Sequence, residues 1–164
     1  MRTTFFFLFT AILLTSCTQP AAKEKLHKLM QDYHEQTLQM NPIGATFQGD
    51  TRYNDYLPNY LDDEVMATQK EFYSETLEAL QAINTKDLNE QDQLSKKVLQ
   101  WECETTLMGM EFPTELLPIN QMWTLQLTMG QLAAGSSAQP FATVTDYTNW
   151  LSRVDDYLAW LKSA

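Results

Sequence analysis

Histidine and cysteine are scarce in this chain, which has two residues of each type. No histidine follows His34, so neither Ser136 nor Ser137 has a downstream imidazole to act as a base. Both serines also lack the glycine–serine–glycine elbow of esterases, and the five glycines form no phosphate-binding loop. These absences argue against a serine hydrolase and against a nucleotide-binding loop.

Positive charge is also scarce, because 11 Lys and Arg residues stand against 21 Asp and Glu residues, a net charge of −10 at pH 7. Residues 1–16 contain Arg2 and no acid, so the chain without them carries 10 basic and 21 acidic residues, a net charge of −11. Nucleic acids and anionic membrane faces bind clustered Lys and Arg. The sequence therefore predicts no nucleic-acid partner.

No apolar run has the roughly 20 residues that a membrane-spanning helix needs. The apolar stretch at residues 5–14 follows a single positive charge at Arg2 and precedes the small residues Thr15 and Ser16. This arrangement is typical of a secretory signal. We therefore expect residues 1–16 to be a signal peptide.

Residues 14–17 fit the bacterial lipobox, in which the thiol of Cys17 takes a diacylglycerol and becomes the new N-terminus. The alternative is an ordinary signal peptide that happens to contain a cysteine. Each buried CH₂ of an acyl chain contributes about 0.8 kcal/mol, so a multiply acylated Cys17 would hold the protein on the membrane. The residue after Cys17 is Thr18, which is not acidic, and this resembles the pattern by which lipoproteins are sorted to the outer membrane. We expect an exported, membrane-anchored lipoprotein at the outer membrane or cell surface, with residues 17–23 as its tether.

Apolar residues recur at helical spacing in several segments, and no strand-like alternation exceeds four residues. The predicted helices are 22–40, 62–83, 89–112, 125–134 and 143–164. Asp62 or Asp63, Asn89 and Thr143 are candidate N-terminal caps. The sequence therefore predicts one all-α domain over residues 24–164, with amphipathic helices and long ordered loops such as 42–61.

The third predicted helix has the most regular apolar face, formed by Leu94, Val98, Trp101, Met108 and Phe112 together with Thr105. Cys103 lies beside this face and has no disulfide partner once Cys17 is acylated. We expect a small, half-buried thiol with raised pKa between Glu102 and Glu104.

His34 and Glu35 resemble the start of a helical zinc-protease motif. That motif needs a second histidine four residues on, where this chain has Leu38. His27 lies two turns before His34, about 10 Å along the axis. Two solvated histidines on an amphipathic helix are therefore the preferred interpretation.

A calcium loop could be suggested by Asp50, Asn54 and Asp55, but Arg52 occupies a position where a ligand oxygen is needed. The sequence therefore predicts no catalytic, cofactor-binding or metal-binding residue, and lipidation at Cys17 is the one predicted site.

Three separated segments, residues 41–58, 117–121 and 140–154, together resemble the N-terminal part of the bacterial family catalogued as domain of unknown function 885. The resemblance covers roughly residues 25–164. It implies a mostly helical, zincin-like parent of several hundred residues, often a lipoprotein, that is similar to zinc metallopeptidases. The family's metal motif, His-Glu followed by Pro-Gly-His, lies far toward the C-terminus, and nothing here matches it.

The resemblance leads us to expect an N-terminal fragment of an exported, lipid-anchored metallopeptidase-like protein that is inactive alone. The helical domain would continue beyond Ala164, and zinc would be present only in the full-length parent. Expected partners are the membrane, through lipid on Cys17, and the C-terminal region of the same protein, with peptides as a further candidate. Such a fragment is expected to expose the apolar faces of its last helices.

The alternative is a complete small helical lipoprotein that acts as a binding or scaffolding module.

Overall fold

The computed structural model describes residues 21–122 and 124–164. Helices account for most of these residues, and no strand occurs among them, so the predicted all-α fold is confirmed. The helices are α1 (Ala22–Met40), α2 (Pro42–Phe47), α3 (Asp63–Gln81), α4 (Glu90–Gly109), α5 (Leu125–Ala133) and α6 (Val144–Ser163). The predicted signal peptide, Cys17 and residues 18–20 of the tether lie outside the described residues.

Polar side chains cap three of the four long helices. Asp62 caps α3, and Asn89 accepts a hydrogen bond from a main-chain N–H of α4. Thr143 and Asp146 form a reciprocal capping box at the start of α6. These side chains satisfy N–H groups that have no acceptor within the helix, and each such cap contributes about 1 kcal/mol.

The predicted loop at 42–61 contains the short helix α2. Pro42 lies at the first helical position, where its fixed φ suits a helix and its missing N–H costs nothing. Asn41 then accepts a hydrogen bond from the main-chain N–H of Gly44 at 2.9 Å. The prediction was wrong here because proline and glycine break a helix in its interior but not at its start. Helices α3 and α4 also end earlier than predicted, at Gln81 and Gly109.

Helices α1, α3 and α4 pack against one another around the core, and α2 packs on α1. The buried core residues are Leu26, Leu80, Ile83, Leu88, Leu99 and Cys103. These core residues lie in the first two-thirds of the chain. Helix α6 contacts the loop after α2 through hydrogen bonds of Arg153 and Asp156, and its Trp160 is also buried.

Helix α4 turns an unexpected face toward the core. Its buried residues are Asp92, Lys96, Leu99 and Cys103. Leu94, Val98 and Trp101 of the predicted apolar face are 55%, 54% and 65% exposed. Both faces have helical spacing, so periodicity alone does not choose between them.

The buried charges of α4 are accommodated because each has specific partners. His27 Nε2 lies 2.7 Å from Asp92 Oδ1. Lys96 Nζ donates to the Ile83 carbonyl oxygen at 2.6 Å and to Thr85 Oγ1 at 3.0 Å. His27 is half exposed, with 51% of its side chain accessible, and it also links α1 to a buried carboxylate of α4.

Candidate functional site

The residues around His34 and Glu35 do not fit a zinc site. His34 is exposed, and Leu38, where a second histidine would be needed, is buried. Glu35 accepts a hydrogen bond from Arg52 Nη1 at 2.8 Å. Within residues 21–122 and 124–164, no three His, Cys, Asp or Glu side chains are grouped closely enough to hold a metal.

The side chains considered for calcium do not converge. Arg52 donates to both carboxylate oxygens of Asp50, and these hydrogen bonds lower the pKa of Asp50 to about 2. Asn54 turns inward, and its Oδ1 accepts a hydrogen bond from Thr46 Oγ1 at 2.7 Å. The loop is therefore held by its own side chains.

Cys103 is fully buried, with 0% exposure, so the prediction of a half-buried thiol was wrong. Burial, followed by the charges of Glu102 and Glu104, raises the pKa of Cys103 to about 11. A thiol that stays protonated at neutral pH is a poor nucleophile. Cys103 therefore acts as a small core side chain.

Arg153 is fully buried at the centre of a polar cluster that the sequence analysis did not single out. Its guanidinium donates to the carbonyl oxygens of Tyr53 and Tyr56, and to Thr46 Oγ1 and Gln139 Oε1. These four acceptors belong to α2, the loop after it, and the segment before α6. We call Arg153 with these four residues the arginine node.

The arginine node is unusual because the four oxygen atoms that accept hydrogen bonds from the Arg153 guanidinium are all neutral. Burial lowers the pKa of Arg153, while electrostatic interactions with Tyr60, Asp55 and Asp156 oppose this shift. Asp156 accepts a hydrogen bond from the Leu57 main-chain N–H at 2.9 Å. Buried charges require such complete hydrogen bonding, so the node fixes the loop and α6 in one arrangement.

A large cleft of about 1120 Å³ opens beside the core, between α1, α3, α4 and α5. We call it the central cleft. Its polar lining residues are Thr37, Asn41, Gln48, Tyr60, Gln69, Tyr73, Glu102, Thr106, Thr124, Thr128 and Gln131, and its apolar ones are Leu38, Met40, Ile43, Met110, Met122, Leu125 and Leu127. The described wall thus contains one carboxylate and no Lys, Arg or His.

Glu102 lies beside groups that remain neutral. Burial, followed by the Glu102 carboxylate, raises the pKa values of Tyr33 and Tyr73. The Tyr33 hydroxyl is buried. Glu102 is thus the one acidic side chain of the described wall.

The outer face of α4 is a second notable surface. We call Leu94, Val98, Trp101 and Met108, each more than half exposed, the α4 stripe. Phe112, Leu116 and Leu117, which follow α4 in the chain, are also exposed, at 64%, 78% and 68%. A shallow groove of about 350 Å³ between α1 and α4 borders the stripe. Contiguous apolar surfaces of this kind usually mark interaction sites.

Taken together, the described residues define an all-α domain in which a buried arginine ties the last helix to an early loop. Within these residues, no helix is long and apolar enough to span a membrane. A family model described as bacterial protein of unknown function (DUF885) matches residues 42–164. The chain therefore belongs to the DUF885 family. Comparisons with curated proteins and with solved structures found no match.

The family match includes every member of the arginine node, because these residues all lie between positions 42 and 164. Sequence reasoning included Arg153 in a segment that resembles the family but assigned it no role. The signal that could have found it is an arginine on a helical face with aromatic neighbours, since Trp150, Tyr157 and Trp160 lie at helical spacing from it.

Proposed function

We propose that this chain is the N-terminal part of an exported, lipid-anchored DUF885 protein of the metallopeptidase-like kind. In this proposal Cys17 attaches it to the outer membrane or cell surface. Any zinc and its ligands belong to a further region of the same polypeptide, and the present chain is inactive alone. Its helices would form one wall of the substrate cleft.

The observation that carries this proposal is the exposure of the α4 stripe. Fully burying a Leu, Val or Met side chain contributes about 1.5–3 kcal/mol, so leaving several exposed along one helix forgoes considerable stability. Soluble monomers rarely expose such contiguous surfaces. A packing partner from the same polypeptide would cover the stripe permanently, as a domain core requires.

Export and anchoring rest on the sequence, because residues 1–20 lie outside the described residues. The test is the mass of the mature N-terminal peptide purified from membranes. A diacylglyceryl adduct on Cys17 is expected, and the Cys17→Ser variant should lack it and leave the membrane fraction. An unmodified Cys17 in a membrane-purified sample would refute the anchor.

The packing role of the α4 stripe is tested on residues 17–164. This protein is expected to bind a hydrophobic dye and to unfold with poor cooperativity, whereas Val98→Gln with Trp101→Gln should bind much less dye at unchanged helix content. Thr105→Gln, on the same helix, is the matched control. A sharp two-state transition in a monomer that binds no dye would count against the proposal.

Absence of catalysis is tested with added zinc. We expect no peptide hydrolysis by residues 17–164. Turnover that His34→Ala abolishes and His27→Ala preserves would place a catalytic metal on α1 and refute the proposal.

A second candidate function is a helical binding module that works without any catalytic region. The central cleft favours it, because its wall carries amide and hydroxyl groups that could hold a ligand. Saturable ligand binding together with a cooperative melt and no dye binding would support this candidate over the first.

A further inference from the structure

We infer that the central cleft binds an extended peptide and holds a lysine or arginine side chain of that peptide against Glu102. This inference deepens the proposed function, on which it rests for the idea that the chain forms a peptide-handling wall. The ligand's shape and charge are argued from the cleft itself.

The dimensions of the central cleft favour a ligand longer than a typical small molecule. Pockets for drug-sized ligands measure about 300–1,000 Å³. The central cleft, at about 1120 Å³, exceeds that range and is bounded by four helices. A chain segment of several residues would fill it better than a single compact metabolite.

The polar groups of the cleft are suited to a peptide backbone. Gln69, Thr106 and Gln131 line it, and their side chains form no hydrogen bond within the part of the chain that the structure describes. A glutamine amide both donates and accepts, as a peptide unit does. Two such amides on α3 and α5 could therefore pair with N–H and C=O groups of an extended segment.

The apolar part of the wall favours tolerance of different side chains. Met40, Met110 and Met122 are spread around the cleft. Methionine is flexible and polarizable, and it is used at surfaces that accept many sequences. The cleft should therefore select backbone and charge more strongly than a particular apolar side chain.

The charge of the cleft and of the whole chain determines which ligands we expect the cleft to prefer. Glu102 is the one acidic side chain among the described lining residues, which include no basic one, and Tyr33, Tyr73 and Cys103 around it have raised pKa values and stay neutral. The whole chain has a net charge of −10, which would repel anions and attract cations. Phosphates, nucleotides and acidic peptides are thus disfavoured.

The test is fluorescence anisotropy with the full chain purified in mild detergent without zinc. Three labelled nonapeptides of alanine and glutamine differ at the central position, which is lysine, glutamine or glutamate. The lysine peptide should bind saturably and most tightly, and the glutamate peptide least. Glu102→Gln should weaken lysine-peptide binding about threefold to fivefold, the size expected for a partly exposed ion pair.

Glu104→Gln is the matched control, because Glu104 is exposed on the same helix and does not line the cleft. Equal binding of the lysine and glutamate peptides would overturn the inference, as would equal effects of the two variants. Saturable binding of a neutral oligosaccharide with no peptide binding would also overturn it. The peptide series needs no variant, so a Glu102→Gln protein that fails to fold leaves the test decisive.

Failure of the inference and failure of the proposed function are distinguishable. The peptide measurement depends on neither Cys17 acylation nor the α4 stripe. A chain that lacks the lipid or binds no dye could still show the lysine preference, and an acylated chain could lack it.

Discussion

Arg153 and Tyr56 are joined across 97 residues of sequence, because the Arg153 Nε donates to the Tyr56 carbonyl oxygen at 3.2 Å. This contact is one of four through which the arginine node connects α6 to the region of α2. Since all four acceptors are neutral, the cation can be buried only while every segment keeps its position. The node should therefore make the order of the loop and of α6 interdependent.

Replacing Arg153 should strongly destabilise the domain. Arg153→Met leaves several buried acceptors without a donor, and we expect the free energy of unfolding to fall by about 3 kcal/mol. Arg153→Lys should also be destabilising, because an ammonium cannot reproduce the planar fork of donors. Urea denaturation followed by circular dichroism measures both effects.

Arg52→Met is the matched control for this experiment, because Arg52 is exposed and hydrogen-bonds carboxylates instead of main-chain carbonyls. It should leave the unfolding midpoint nearly unchanged. If Arg153→Met behaves like this control, the arginine node does not hold the fold together.

The difference between what could and could not be predicted is clear in α6. The capping box of Thr143 and Asp146 spans three residues, so its signal is local and the sequence predicted the cap correctly. Arg153 finds its partners up to 107 residues away, and no local pattern encodes them. The orientation of α4 was missed for the same reason, since the partners of Lys96, which are Ile83 and Thr85, lie in the segment between α3 and α4.

Position 44 should require glycine, because it lies too close to the Asn41 side chain for a Cβ atom. A Cβ at position 44 would lie 2.5 Å from Asn41 Nδ2 and 2.8 Å from Asn41 Cγ, so Asn41 would have to move and give up its cap of α2. We expect Gly44→Ala to cost about 1 kcal/mol, similar to the loss of a cap. Thermal or urea unfolding measures this cost.

A double-mutant cycle tests whether the two residues act together. Asn41→Ala alone should cost about 1 kcal/mol, and the double variant should cost little more, because the clash disappears with the asparagine side chain. Fully additive costs would show that Gly44 serves some purpose other than accommodating this cap.

Stability should fall in alkaline solution. Burial raises the pKa of Cys103 from its ordinary value of 9.0 to about 11, and it also raises the pKa of Tyr60. The folded protein thus holds these protons more tightly than the unfolded chain. The resulting stabilisation is complete below about pH 9 and is lost as the pH rises through about 11.

The measurement is urea unfolding at several pH values between about 8 and 11, spaced about 0.5 unit apart. The free energy of unfolding should decrease steadily over this range, and Cys103→Ala should reduce the slope although it lowers stability at pH 8. A free energy that stays constant up to pH 11 would contradict the burial of these groups.

On α4, we expect replacing a charged residue to cost more stability than replacing an apolar one. Lys96 is 7% exposed and Val98 is 54% exposed, although valine is the apolar residue of the two. Lys96→Ala removes two hydrogen bonds to buried or half-buried oxygens and leaves a cavity, so we expect a loss of about 2 kcal/mol. Val98→Gln replaces a side chain that is already in water and should change stability by less than about 0.5 kcal/mol. Urea unfolding of both variants of residues 17–164 tests which face of α4 is buried. A larger loss of stability for Val98→Gln than for Lys96→Ala would mean that α4 buries the α4 stripe within this chain. The stripe would then need no partner to cover it.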